Sequence, residues 1–337
     1  MKNSLCIASC GSSQFGQSTQ TNDISIPVEC SISGIEQIKA GGWHNACICI
    51  KGISFWGCNN DQQIPKASSN LLRSPSSYQV AYDLHNIALG SKHTVLHLKN
   101  NSILSFGSNS NLQLPPNVVS DVINVYAKFE ASAVVTSSNL VIYGIGSGQI
   151  SIPIDGIPKN VELTTKGCAI LTEQNRLLIY EGDCKVSEFD GVISVAASRK
   201  KVIFLSADSR VFEIEGTDRI QVGGIPEIPI KVFAGSAHYG CVTFEGSCYM
   251  WGCGTRGQLG NGLFSYQFIP QRVIIDPKKR VIDACAGEDH SLFLLTKEEV
   301  FMPKKKSYVN NPLIESHKNM KNIELSTFVP PETDIRF

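Results

Sequence analysis

One pattern recurs along this chain and limits the folds open to it. A short apolar strand leads into a Gly-rich corner and a His; a second strand, a tight turn and a third strand ending in an aromatic residue and Gly follow. The pattern is clearest in Ile38–Cys58 (IKAGGWHNACICIKGISFWGC), Ile87–Ser108 (IALGSKHTVLHLKNNSILSFGS) and Val232–Cys253 (VFAGSAHYGCVTFEGSCYMWGC). The turns Lys51-Gly52, Asn100-Asn101 and Glu245-Gly246 suit β-hairpins. The strands are rich in Val, Ile, Cys, Phe and Thr and run about five or six residues, an ordinary strand length.

Weaker copies fill the gaps. Val122–Gly146 keeps the strands and Tyr143-Gly144 but loses the His, Val161–Gly182 keeps Tyr180 and Gly182, and Val192–Glu213 keeps only the strand rhythm. Val281–Met302 restores Ala-Gly-x-x-His and loses the aromatic-Gly ending. Seven units, each long enough for a four-stranded blade, predict an all-β, seven-bladed β-propeller, since propellers have about four to eight blades. Ser4–Gln17 (SLCIASCGSSQFGQ) reads as the end of a unit without its beginning, and residues 281–302 as a beginning with a weak end. Pairing the N- and C-terminal strands in one blade completes the ring and removes the sheet edges that an open array leaves. The propeller is expected over residues 1–302, with a tail over 303–337, rich in Asn, Pro and charge, that is poorly ordered or wrapped on the surface.

Composition narrows the function classes. Lys plus Arg and Asp plus Glu both number 30. A dedicated nucleic-acid or anionic-membrane binder carries a basic excess, so neither partner is expected. No apolar run reaches the ~18 residues of a membrane helix, and Leu5–Ala8 is too short for a secretory core. The expected location is the cytoplasm, where the 12 cysteines stay reduced. Lys304-Lys305-Lys306 is a short, weak signal for nuclear import as a second location.

The stretch Trp251-Gly252-Cys253-Gly254-Thr255-Arg256-Gly257-Gln258-Leu259-Gly260, preceded by Ala234-Gly235-Ser236-Ala237-His238, resembles the repeat of the regulator of chromosome condensation family, and Ala40–Gly57 matches its first half. The likeness covers about residues 4–302, strongest in units one and six and weakest in four and five. It implies a seven-bladed propeller. The founding branch of that family is an exchange factor for the small GTPase Ran and carries a basic N-terminal tail. This sequence enters its first strand by about Leu5 and has worn middle repeats. Size, bareness and erosion make it more similar to the fungal alpha-tubulin suppressor branch. That resemblance implies a heterodimer of a monomeric propeller with a small acidic zinc protein, an electron carrier serving diphthamide synthesis and Elongator-dependent modification of tRNA wobble uridines.

The repeated residues have structural readings. His44, His93, His238 and His290 share one slot in four units. A catalytic or metal ligand is rarely needed four times around a ring, whereas a corner needs its backbone groups paired each time. Trp56 and Trp251 share another slot and are likewise assigned to the repeat. The glycine run 252–257 matches G-x-G-x-x-G, but the Gln-Leu-Gly-Asn-Gly after it reads as loop and not as the helix a dinucleotide site requires. No C-x2-C, H-E-x-x-H or G-x-S-x-G occurs, so no cofactor, metal or catalytic residue is expected in this chain.

Recognition is expected on the ring face that carries the residue before each His slot. Those residues are Trp43, Lys92, Phe129, Thr165, Arg199, Ala237 and Asp289. They vary, as residues on recognition loops do. Trp43, Phe129 and Arg199 are types enriched at binding hot spots. Arg256 and the run Arg199–Lys201 add charge that steers an acidic partner. The alternative function is guanine-nucleotide exchange, for which the Ser-rich excursion Asn59–Asp83 is the candidate wedge. No residue speaks directly for a third reading, a tubulin or ubiquitin-ligase adaptor.

Overall fold

The structure is a computed structural model that describes residues 5–50, 52–78, 84–117, 119–146, 148–216 and 218–296. The proposed boundary at 302, the tail 303–337 with its lysine run, Lys51 of the first hairpin and residues 79–83 of the excursion lie outside these residues.

Seven antiparallel sheets form the ring expected from the repeats. Blade one contains β3 (Ile35–Ala40), β4 (His44–Cys49), β5 (Gly52–Cys58) and β6 (Leu71–Tyr78). Blade two contains β7 (Leu84–Leu89), β8 (His93–Leu98) and β9 (Ile103–Gly107). Blade three contains β10 (Asn124–Lys128), β11 (Ala131–Val135), β12 (Asn139–Ile145) and β13 (Gly148–Pro153). Blade four contains β14 (Pro158–Leu163), β15 (Gly167–Thr172), β16 (Leu177–Glu181) and β17 (Cys184–Phe189). Blade five contains β18 (Val192–Ala197), β19 (Val202–Ser206), β20 (Val211–Glu215) and β21 (Asp218–Gln221). Blade six contains β22 (Pro229–Ala234), β23 (His238–Thr243), β24 (Cys248–Gly252) and β25 (Gln267–Arg272).

Blade seven draws on both ends of the chain. Its order is β26 (Val281–Ala286), β27 (His290–Thr296), β1 (Leu5–Gly11), β2 (Ile24–Cys30). The seam between β1 and β27 is unbroken from Leu5↔Thr296 to Gly11↔His290. Blade two departs from the four-strand expectation, with three strands among the described residues. Its outer segment carries Pro115-Pro116, two consecutive residues without an N–H to donate to a ladder. Proline also marks the outer strands β2 (Pro27), β6 (Pro75), β13 (Pro153) and β25 (Pro270). A missing donor there blunts an edge that would otherwise accept a foreign strand.

The apolar core is divided among the blade junctions. Phe233, Met250 and Phe293 join blades six and seven; Ile7, Trp56 and Leu292 join seven and one; Phe55, Ile87 and Leu96 join one and two. Similar wedges fill the remaining junctions, including the worn ones: Leu177, Phe204 and Phe212 between four and five, and Val211, Tyr239 and Trp251 between five and six. Each large side chain so buried contributes about 1.5–3 kcal/mol. The period-two alternation of the strands is sufficient to build these wedges, so blades four and five persist after losing every corner signature.

Candidate functional site

The corners between the first and second strands of each blade, and the loops between the third and fourth, lie at one end of the ring, here called the top face. Each corner His roots this face. His44, His93, His238 and His290 are all fully buried. Each reaches into the next blade through Nε2: His44 to Thr94 Oγ1 at 2.8 Å, His93 to Ser132 Oγ at 2.8 Å, His238 to Ser291 Oγ at 3.1 Å and His290 to Asn45 Oδ1 at 2.6 Å. The four bonds staple blades six, seven, one, two and three in succession. Burial drives all four imidazoles to the neutral form, with pKa values down at about 3 for His44 and His290 and about 4 for His93 and His238.

The corner glycines are required by close approach. A Cβ on Gly90, Gly235 or Gly287 would lie 2.0–2.2 Å from the Cε1 of the His three residues on. At Gly287 it would also meet the Gly41 carbonyl of the next blade at 2.2 Å. Backbone bonds link the corners around the ring, for example Gly42 N–H to Gly90 O at 3.0 Å, Ser236 N–H to Gly287 O at 3.2 Å and Glu288 N–H to Gly42 O at 3.1 Å.

A second repeated device was not read from the sequence. Gln17, Gln63, Gln113 and Gln258 are buried in the top loops of blades seven, one, two and six. Each side-chain oxygen accepts the backbone N–H two residues earlier, at 2.8–3.0 Å. Gln258 and Gln17 sat in recognisable contexts. Gln63 and Gln113 lack the flanking glycines that would have given them away.

Blades three to five have no corner His and use charge. The Arg199 guanidinium donates to both oxygens of Glu130, at 3.0 and 3.2 Å, and to both of Glu288, at 2.9 and 3.1 Å. It thereby ties the corners of blades three, five and seven. Burial opposes the charge on Glu130, yet its bonds to Arg199 hold the carboxyl below the usual range. Nearby, Lys128 bonds Glu162 at 2.9 Å and the Ala234 carbonyl at 3.0 Å. Replacing Arg199 with Ala is expected to cost about 2 kcal/mol, less than a buried pair because the arginine is partly exposed. Lysine is not expected to rescue, since it lacks the fork that holds two carboxylates. Urea denaturation reads both variants, and an alanine variant as stable as the parent would remove Arg199 from its tying role.

This network corrects the expectation for Phe129. It is 5% exposed, with the Arg199 guanidinium 4.7 Å above its ring. The corners of blades one, two, six and seven have three residues between strands, whereas blade three has two and blade five has four. Phe129 and Arg199 are therefore out of register with Trp43: Phe129 turns inward at φ 52° and its carbonyl accepts the Ser91 N–H at 2.6 Å, as the Gly90 carbonyl accepts Gly42. Arg199 is engaged with its two carboxylates. Thr165 also turns to structure, its hydroxyl bonding the Arg199 carbonyl at 2.7 Å.

The remaining expected residues gather elsewhere on the face. Trp43 is half-buried, its ring 5.4 Å from that of Phe15 and beneath the Lys92 ammonium at 4.9 Å. Phe15 comes from the top loop of blade seven, Trp43 from blade one and Lys92 from blade two. Arg256, in the top loop of blade six, pairs with Asp23 of the top loop of blade seven at 3.2 Å. Asp289 is half-buried, and desolvation raises its carboxyl pKa. The candidate wedge folds back on itself: Asn59 bonds the Ser69 carbonyl at 2.9 Å and receives the Ile64 N–H at 2.8 Å, and Ile64 is 2% exposed. Residues 252–257 run from β24 into a loop and then β25, with no helix after them. Trp56 and Trp251 are buried, their indoles donating to the Gln17 carbonyl at 3.0 Å and Glu213 at 2.5 Å. None of the 12 cysteines is joined in a disulfide, and no cluster of three or more metal-ligating side chains occurs among the described residues.

The ring, its corners and its closing seam define a seven-bladed β-propeller. Residues 245–294 match the family described as Regulator of chromosome condensation (RCC1) repeat, so the propeller carries at least one repeat of that type. The chain is 23% identical over 264 residues to human E3 ubiquitin-protein ligase HERC2, covering 77% of this chain and 5% of HERC2. It is 28% identical over 134 residues to the human probable E3 ubiquitin-protein ligase HERC6, covering 35% of this chain and 13% of HERC6. The chain thus spans a small part of the length of these curated relatives. Among solved structures, human WBSCR16 superposes with a TM-score of 0.72 at 15% identity, covering 90% of this chain and 100% of that one. Prp20p from Saccharomyces cerevisiae superposes with a TM-score of 0.73 at 14% identity, covering 88% and 92%. These likenesses are likenesses of fold.

Proposed function

We propose that this chain is a non-catalytic protein-binding propeller working through the top face of blades seven, one and two. The observation that carries the reading is the Phe15–Trp43–Lys92 cluster, in which three blades contribute a half-buried aromatic pair and a cation to one place. Rigid aromatics with a polar or charged rim are the usual anchors of protein interfaces. By resemblance, the partner is the small acidic zinc electron carrier of diphthamide synthesis and Elongator-dependent tRNA modification, met in the cytoplasm and also in the nucleus. Lys92 supplies the charge that an acidic partner requires, while Arg256 is already paired with Asp23.

Replacing Trp43 with Ala is expected to weaken binding of the purified zinc carrier about 30-fold, a hot-spot loss of about 2 kcal/mol. Lys92→Ala is expected to reduce the association rate and its salt dependence. Calorimetric titration and stopped-flow mixing measure the two effects, with unfolding curves as the control. Unchanged affinity in a folded Trp43→Ala protein would discard this face.

The second reading, nucleotide exchange on a small GTPase, draws on the likeness to Prp20p, a protein studied for its binding to Gsp1p and histones. Against it stands the packed loop 59–70. Accelerated release of fluorescent nucleotide from a Ras-like GTPase would favour exchange over the zinc-protein partnership.

A further inference from the structure

Cys47 and Cys49 lie two residues apart on β4, so the strand's alternation places both on one face. Their sulfurs approach to 3.4 Å. The pair lies on the junction of blades seven and one, the same wedge that holds Ile7, Leu292 and Leu294 of the closing blade. The two sites differ in access: Cys47 is fully buried, whereas Cys49, the last residue of β4, is half-buried. Across the hairpin, Cys49 faces Gly52, which has no side chain to cover the sulfur.

We propose that Cys47 and Cys49 form a reversible redox site, with Cys49 as the nucleophile toward hydrogen peroxide and Cys47 as the resolving thiol. The Cys49 thiolate attacks one peroxide oxygen: an S–O bond forms, the O–O bond breaks, and the departing hydroxide takes a proton from solvent, equivalent to the one Cys49 has lost. Cys47 then attacks the Cys49 sulfur. The S–S bond forms, the S–O bond breaks, and the sulfenic oxygen leaves as water with the Cys47 proton. Two thiols are oxidised by two electrons and the peroxide is reduced to two waters.

The surroundings support this division of roles. The hydrogen bond from the Cys47 thiol lowers the Cys49 pKa to about 7, while the same bond pushes Cys47 upward. Cys184 shows the opposite case. It is exposed, but its hydrogen bond to Asp183 raises its pKa, and so it combines access with little thiolate. A disulfide holds its Cβ atoms about 3.5–4.5 Å apart, closer than the ~6.6 Å that separates i and i+2 on a regular strand, so closing it must bend the end of β4, where Cys49 is the last residue, and leaves the bond strained. The bond is therefore easily reduced, as a reversible site requires.

The test is peptide mapping of the whole folded protein after a short exposure to hydrogen peroxide and alkylation of the remaining thiols. Trypsin releases residues 40–51 (AGGWHNACICIK), which hold Cys47 and Cys49 and no other cysteine. This peptide is expected to appear two hydrogens lighter while the Cys184 peptide is still fully alkylated, and dithiothreitol is expected to restore it. Cys49→Ser is expected to leave Cys47 unmodified. Cys47→Ala is expected to stop Cys49 at the sulfenic stage, trapped by dimedone, and to slow its alkylation at pH 7 about tenfold as the thiolate fraction falls. Oxidation of Cys184 ahead of the pair, or a cross-link from Cys49 to a cysteine outside this peptide, would overturn the proposal.

Discussion

Below pH 6.5 this protein is expected to lose stability steeply and to unfold before pH 5. The main cause is the four corner histidines, whose folded pKa values lie at about 3 to 4, and buried His97, lowered to about 4, acts in the same sense. In the unfolded chain each imidazole titrates near 6.5. Above that pH both states are neutral and the histidines give no pH dependence. As the pH falls below it, the unfolded chain takes up protons that the folded corners refuse. The equilibrium then moves toward unfolding until the folded pKa values are reached. Each histidine withdraws about 1.4 kcal/mol per pH unit within that window, so the four together withdraw about 5 kcal/mol between pH 6 and pH 5. That is comparable to the whole stability of many domains. Thermal melts from pH 7.5 to 5, with proton uptake measured on unfolding, test the slope. His238→Gln is expected to reduce it by about a fifth, since five histidines share the lowered pKa. A melting temperature that stays flat to pH 5.5 would show that the corners accept protons while folded.

Gly287→Ala is expected to destabilise the ring by about 3 kcal/mol or more, the upper range for overpacking a core. Its Cβ would lie 2.1 Å from His290 Cε1 and 2.2 Å from the Gly41 carbonyl. Neither neighbour can yield cheaply. The imidazole is pinned by Asn45 at 2.6 Å, and Gly41 belongs to the backbone of the next blade. Gly223→Ala is the control: nothing lies within 4 Å of its Cβ, and the change is expected to stay within about 0.5 kcal/mol. Urea midpoints measure both. Equal midpoints for the two variants would mean that the corner relaxes freely and that the close approach has no energetic consequence.

The repeats made the ring legible because each blade solves the same local problem with the same residues. Gly-x-x-His placed the intact corners, and the unmatched half-units at 4–17 and 281–302 placed the seam. The worn blades were legible only as strand rhythm. Their compensations are distant in sequence: Arg199 meets Glu130 across 69 positions and Glu288 across 89. A single sequence carries no local mark of such a pairing. The inward turn of Phe129 was hidden for a related reason. Its corner is one residue short, and a missing residue moves every side chain after it while leaving composition untouched. At the top face, Trp43 and Lys92 were found from their slot, whereas Phe15 enters from another blade and no spacing rule connects it to them.

The closing blade also sets an order of events. Cys6 hydrogen-bonds the carbonyl of Thr296, 290 residues further along. During synthesis β1 emerges early and β27 late, so one edge of β1 must wait while almost every other strand is made. Contacts of such long range are the last to repay the entropy of loop closure. Until then the nascent ring is an open arc with a bare strand at its end, the form in which such a chain is most exposed to pairing with the wrong strand or with another copy of itself.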